Sequence, residues 1–352
     1  MAKRIVLDAM GGDHAPEVPV TGAISALAEL GGDFELVLVG DEARIRTLLH
    51  GREYPSERLH IHHAPESIGM DEAPMAALRR KRRSSIQLGL ELQAAGEADA
   101  FVSAGHTGVV MAASLTTLGR IEGIPRPAIV TIFPTQELPC IVLDVGANVD
   151  PRPDHMVQFA IMGHVCAREV LGRERPRVGL LSIGKEAGKG NDLTVTVHDL
   201  LLESGLDFIG NVEGRDVLSG AADVVVTDGF TGNVVLKFAE SFLDFLTDAV
   251  SDEIQRRPLA RLGAILMTPA LRSVKRRIDY SEYGGAPLLG VDGVVIIAHG
   301  GSDPKAVRNA IRVALRAADR ELHHRIARAV SAWTGDAVPV SRSGNQVLGG
   351  PP

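Results

Sequence analysis

"VVVTDGFTGNVVLK" (Val224 to Lys237) passes from an apolar run to an acid, two glycines and an asparagine, and a lysine follows one helical turn later. The valine run suits a strand buried on both faces. After Thr231 the period changes to 3.6, with Val235, Phe238, Phe242, Phe245 and Ala249 on one stripe of an amphipathic helix. Glycine in such a turn lets backbone N–H groups approach a ligand, and lysine supplies charge. The stretch therefore predicts an anion held by N–H groups from Gly229 to Asn233 and by Lys237. Asn233 and Lys237, four apart, share one helix face. The alternative is a lysine that only extends into water from a surface helix.

The same unit of apolar run, polar turn and helix recurs along the chain. It appears in "RIVLDAMGGD", "ELVLVGDE", "AFVSAGHTG", "CIVLDVGAN", "VGLLSIGKE" and "VVIIAHGGSD". Strands of this kind predict an α/β fold with a largely parallel sheet covered by helices. Ligands of open parallel sheets gather beyond the carboxyl ends of the strands, so the turns are expected to share one edge and one cleft. A single catalytic domain over 1–335 is predicted, with a helical hairpin insertion near 250–280. The Gly/Pro/Ser-rich end, 336–352, reads as a flexible tail.

Composition narrows the class. An apolar fraction of 45% among 352 residues supports a sizeable core, and 37 basic against 44 acidic residues give a net charge of −7. Nucleic acid is not an expected partner of such a chain. Cys140 and Cys166 make neither a disulfide framework nor a metal spacing. "MAKRIVLDAM" lacks the features of a signal peptide, and no apolar run reaches about 18 residues. The expected location is the cytoplasm, with no internal repeat, no metal and no cofactor.

Several turns carry candidate ligand groups. "DAMGGDHAPE" offers Gly11, Gly12, Asp13 and His14, either as a ligand loop or as a tight turn capped by Asp13; it is no dinucleotide fingerprint. "SAGHTG" brings Ser103, His106, Thr107 and Gly108 to a helix start suited to an oxyanion or phosphate. "LDVGAN" supplies Asp144 and Asn148, and "AHGGSD" supplies His299, with Asp303 as cap of the closing helix. "SIGKEAGKGND" holds Lys185, Glu186, Lys189 and Asn191 among glycines, where lysine can neutralise an anion and asparagine orient it.

In order, "DAMGGDHAP", "SAGHTG", "LDVGAN", "IGKEAGKGN", "DGFTGNVVLK" and "GGAPLLGVDG…AHG" resemble the signature blocks of the phosphate acyltransferase family of bacterial phospholipid synthesis, PlsX. The resemblance runs from about Arg4 to about Arg328. It implies transfer of a fatty acyl group from an acyl carrier protein (ACP) thioester to inorganic phosphate. The implied fold is a Rossmann-like three-layer α/β/α sandwich, similar to phosphate acetyltransferases and isocitrate-type dehydrogenases, with a protruding helical hairpin. Members are homodimers, peripheral to the inner face of the cell membrane.

Residue by residue, Lys189, Gly190 and Asn191 fall on the family's Lys-Gly-Asn, and Glu186 on its glutamate. Asp228, Gly229, Gly232, Asn233 and Lys237 match as well, whereas Lys185 stands where the family varies. The implied catalytic set is Lys189, Asn191, Asp228, Asn233 and Lys237, with the other turn residues binding substrate. Two departures are His106, where the family has Asn, and Ser241, where glycine is common.

Two segments suit the implied partners. "RRKRR" (Arg79 to Arg83) would steer the acidic carrier protein, or merely begin a solvated helix. The segment 256–277 carries seven basic residues, no acid and the apolar centre "LGAILMTPAL". That composition suits an anionic membrane surface, or equally a dimer contact. Rival functions are an acyl-CoA phosphate acetyltransferase, a metal- and nicotinamide-dependent dehydrogenase, and a non-catalytic scaffold of lipid synthesis.

Overall fold

The computed structural model describes residues 2–278 and 284–335. The predicted tail, 336–352, lies outside the described residues. So do the side chains of Leu271, Arg272, Lys275, Arg276 and Arg277.

The strands are β1 (Lys3–Asp8), β2 (Phe34–Gly40), β3 (Leu59–His63), β4 (Ala100–Ser103), β5 (Ala128–Phe133), β6 (Cys140–Leu143), β7 (Val178–Leu181), β8 (Phe208–Val212), β9 (Val224–Val226), β10 (Ala286–Leu289) and β11 (Val295–Ile297). Helices alternate with them: α1 (Glu17–Glu29), α2 (Glu42–Leu49), α3 (Pro74–Arg80), α4 (Ser85–Ala94), α5 (Thr107–Thr117) and α6 (Pro153–Leu171). The second half adds α7 (Asp192–Leu202), α8 (Gly214–Ser219), α9 (Gly229–Arg256), α10 (Pro258–Ile278), α11 (Pro304–Asp319) and α12 (Leu322–Gly335).

Among the described residues, these eleven strands join one sheet in the order β3-β2-β1-β4-β11-β10-β5-β6-β9-β7-β8. Side chains alternate along β1, so Ile5 and Leu7 enter one apolar layer and Val6 the other. The first layer packs beneath α1, α6, α7, α11 and α12, the second beneath α3, α4 and α5. Each fully buried Val, Ile or Leu contributes about 1.5–3 kcal/mol. The result is the expected three-layer sandwich with a largely parallel sheet.

One expectation fails at this level. β10 runs antiparallel to both β11 and β5, and β5 runs antiparallel to β6. Three reversals separate two parallel blocks, β3-β2-β1-β4-β11 and β6-β9-β7-β8. The polar turns therefore leave opposite edges of the sheet, in two sets. The two reversing strands carry no polar turn of the recurrent kind, so the sequence pattern passes over them.

The helix stripe also differs from expectation. Val235, Leu236 and Ala239 of α9 pack on the sheet, whereas Phe238, Phe242 and Phe245 face solvent. Phe238 is 71% exposed, and its ring stacks on Phe242 at 6.1 Å. Arg257 alone joins α9 to α10, making the helical hairpin. No described helix is long and apolar enough to cross a membrane.

Candidate active site

β9 lies between β6 and β7, so the turns after these three strands stand side by side. They carry Asp144 and Asn148, then Glu186, Lys189 and Asn191, then Asp228 to Lys237. This first set holds the whole expected catalytic group.

Asp144 is fully buried. Its carboxylate accepts from the Ile129 and Ala147 N–H groups through Oδ1, and from the Asn148 N–H and Nδ2 through Oδ2, at 2.6–3.2 Å. Burial pushes its carboxyl above the usual range, with those hydrogen bonds acting against the shift. Asn148 Nδ2 also donates to the Pro127 carbonyl at 2.7 Å. The expected ligand contact by Asp144 is thus corrected: its carboxylate is spent inside the protein, where it shapes the turn together with Asn148 Nδ2.

The amide cradle needs a similar correction. Gly229 N–H donates to the Asn148 carbonyl at 2.7 Å, Thr231 N–H to Asp228 Oδ1 at 2.8 Å, and Gly232 N–H to the Asp228 carbonyl at 2.9 Å. Asp228 is the N-cap of α9 and also accepts from Thr231 Oγ1. These glycines serve close packing instead. A Cβ on Gly229 would lie 2.6 Å from the Asn148 carbonyl oxygen, and one on Gly232 would penetrate the Asp144 carbonyl.

Side chains supply what the amides do not. Asn233 is exposed at the start of α9, and Lys237 pairs with Glu240 at 2.8 Å on the same surface. Asn191 caps α7, its Oδ1 accepting from Thr194 N–H and Oγ1, which leaves Nδ2 as its donor. Lys189 is held at both backbone groups: its N–H donates to the Glu186 carbonyl at 3.0 Å, and its carbonyl accepts from Ser182 Oγ at 2.9 Å. Its exposed ammonium has no ion pair among the described residues.

The second set follows β1, β4 and β11. Asp13 N–H donates to the Gly300 carbonyl at 2.9 Å, which ties the first turn to the last. Asp13 and His14 are exposed, and Pro16 instead of Asp13 occupies the N-cap of α1. Ser103 is buried, accepting from Gly105 N–H and donating to Asp8 at 2.7 Å. Burial raises the Asp8 carboxyl against hydrogen bonds from Ser85 and Ser103. The sequence reading passed over Asp8, although it ends a strand as Asp144 does. A Cβ on Gly11 would lie 2.5 Å from its Oδ2, so Gly11 closes over this buried acid. Thr107 is exposed, Gly108 N–H donates to His106 Nδ1 at 3.1 Å, and His299 Nδ1 accepts likewise from Gly301 N–H.

Neither cysteine is a candidate nucleophile. Burial pushes both thiols up to about 12, with the Asp223 charge adding at Cys140. Among the described residues, no group of three His, Cys, Asp or Glu side chains could hold a metal ion.

Known proteins show the family to which the chain belongs. Residues 3–325 match the family model described as "Fatty acid synthesis protein". The phosphate acyltransferase of Moorella thermoacetica is 50% identical over 322 residues, covering 91% of this chain and 93% of that protein. The chain belongs to the phosphate acyltransferase family. The phosphate acyltransferase of Myxococcus xanthus, 48% identical, covers 94% of this chain and 95% of its own length. As a family member the chain is an acyltransferase of fatty acid and phospholipid synthesis, as the sequence blocks implied.

Solved structures agree at the level of fold. A phosphotransacetylase from Streptococcus pyogenes superimposes with a TM-score of 0.60 at 17% identity, over 94% of each chain. A 4-hydroxythreonine-4-phosphate dehydrogenase from Klebsiella pneumoniae gives 0.50 at 14%, over 90% of this chain and 98% of that one.

The structure also accounts for His106 in this phosphate acyltransferase. His106 is the N-cap of α5, and Nδ1 accepts the Gly108 N–H as an asparagine oxygen would. Histidine thus serves as this cap in place of the expected asparagine.

Proposed function

We propose that Lys189, Asn191, Asn233 and Lys237 hold inorganic phosphate for attack on a fatty acyl-ACP thioester. The observation that carries this reading is Lys189: a backbone pinned at N–H and carbonyl, with an exposed ammonium that makes no ion pair among the described residues. The exposed Lys237–Glu240 pair is weak enough to yield to a phosphate dianion. A phosphate oxygen attacks the acyl carbon, forming a C–O bond and a tetrahedral oxyanion. The C–S bond then breaks, and sulfur leaves as thiolate, a group with pKa of about 8.5 that needs little protonation. Acyl phosphate and the free carrier thiol are the products. Phosphate is already anionic, so no activated side-chain nucleophile is required. Lys189, Lys237 and the side chains of Asn191 and Asn233 act by positioning and charge stabilisation.

Asp144, Asn148, Asp228, Gly229 and Gly232 shape this site from beneath. Glu186 joins through its backbone, its carbonyl receiving the Lys189 N–H. The second set, Gly11 to His14, Ser103 to Gly108 and His299, lies at the opposite edge of the sheet and is no part of this phosphate site. Acyl-ACP and acyl-CoA should be compared with and without phosphate, following thiol release. The expected result is release only with phosphate and faster from acyl-ACP; phosphate-independent release would refute the mechanism, and preference for acyl-CoA the donor.

Partners follow from surface chemistry. Of the "RRKRR" cations, Lys81 and Arg80 are committed to Glu72, whose carboxyl Lys81, the Gly69 N–H and Arg80 hold down to about 2. Arg79, Arg82 and Arg83 remain exposed for the acidic carrier. The aromatic stripe of α9 suits a second copy of the chain, giving a homodimer. Leu259, Ile265 and Leu266 of α10, 68–85% exposed among basic residues, suit the anionic inner face of the membrane. Ile265→Glu with Leu266→Glu should release the protein from anionic liposomes in a co-sedimentation assay. Undiminished binding would exclude that contact.

A further inference from the structure

The pairing of β8 with β7 is irregular: Val178 pairs with Phe208, but Leu180 pairs with Asn211, so β8 carries one extra residue. Gly210 makes the bulge, with φ of 92°, a conformation open to glycine. Bulges in parallel pairs are rare, and they re-aim a side chain.

Here the re-aimed side chain is Asn211, 5% exposed. Its Nδ2 donates to the Glu186 carbonyl at 2.8 Å, the same oxygen that receives the Lys189 N–H at 3.0 Å. Its Oδ1 has no hydrogen-bond partner among the described residues. Turning the amide over would set two oxygens against each other at the Glu186 carbonyl, so the orientation is fixed by its one bond. A buried amide with an orphan acceptor is costly. An apolar residue would fill the space more cheaply unless the donor itself were needed.

We propose that Asn211 is a positioning residue: through the Glu186 carbonyl it fixes the turn that presents the Lys189 ammonium to phosphate. The inference rests on the phosphate-binding role of Lys189. Lys185 Nζ, 3.1 Å from Asp216, tethers the same turn from α8, but Asn211 acts on the carbonyl adjoining Lys189 through its N–H.

The test is a double-mutant cycle with Asn211→Leu and Lys189→Ala, read as kcat and as KM for phosphate. Asn211→Leu alone should lower kcat/KM for phosphate by on the order of tenfold or more, as expected when a reacting group is displaced. It should also speed hydrogen exchange at the Lys189 amide. In the Lys189→Ala background the same change should cost nothing further. Losses that multiply, or an Asn211→Leu enzyme with unchanged kinetics, would overturn the proposal. Asn211→Ser, too short to reach the carbonyl, gives the same readouts if the leucine variant does not fold. Full activity in Lys189→Ala would instead remove the phosphate reading on which the inference stands.

Discussion

Lys189→Ala lowers the rate of acyl-phosphate formation by on the order of 10²–10³-fold, the size of effect seen when one preorganised charge-stabilising group is removed. The fold should survive. Lys189 is exposed, no packed side chain depends on its ammonium, and both backbone bonds persist with alanine. The melting temperature should therefore stay near that of the parent while turnover collapses. Lys237→Ala should cost less, because Glu240 already offsets that charge. Steady-state assay beside thermal melting separates the two effects. A Lys189→Ala enzyme that turns over normally would show that the ammonium faces the wrong ligand or none.

Gly232→Ala should be severely destabilising, although the residue is helical. Propensity alone favours alanine by about 1 kcal/mol. Against this, the new methyl would penetrate the Asp144 carbonyl, which is backbone and fixed by a buried carboxylate with four hydrogen bonds. Overpacking of this kind costs about 3 kcal/mol, so the clash outweighs the propensity gain. Activity should fall as well, since α9 must shift and Asn233 starts on it. Gly31→Ala, where nothing lies within 4 Å, is the control and should be nearly neutral. Equal melting temperatures for the two variants would mean that the Asp144 turn yields freely and does not brace the site.

Seven of the eleven strands were legible because each is an apolar run stopped by a polar turn. The other four carry weaker signals. β3 reads "LHIHH", β8 contains Gly210 at its bulge, and β10 begins "AP". β5 is apolar, but a proline-bearing stretch follows it in place of a Gly/Asp turn and helix. Missing β5 and β10 had one consequence out of proportion to their length. They are the strands that reverse direction, so the turns appeared to share one edge.

The site was legible at the level of loops and less so at the level of atoms. An acid or asparagine just beyond a strand looks the same in sequence whether it binds a ligand or ties down the backbone. Asp144, Asn148 and Asp228 do the second. Lys189 stands apart because its ammonium makes no ion pair among the described residues while its backbone is fixed, a distinction that only coordinates reveal. Asn211 was invisible for the same reason: its orientation depends on an extra residue in the pairing of β8 with β7, which no spacing rule records.

Free phosphate as the nucleophile at the Lys189 turn is tested directly by supplying acyl-ACP together with ¹⁸O-labelled phosphate and weighing the acyl product. The expected product is acyl phosphate that retains the labelled oxygens in amounts equal to the thiol released. Unlabelled free fatty acid as the first product, with thiol release indifferent to phosphate, would contradict it.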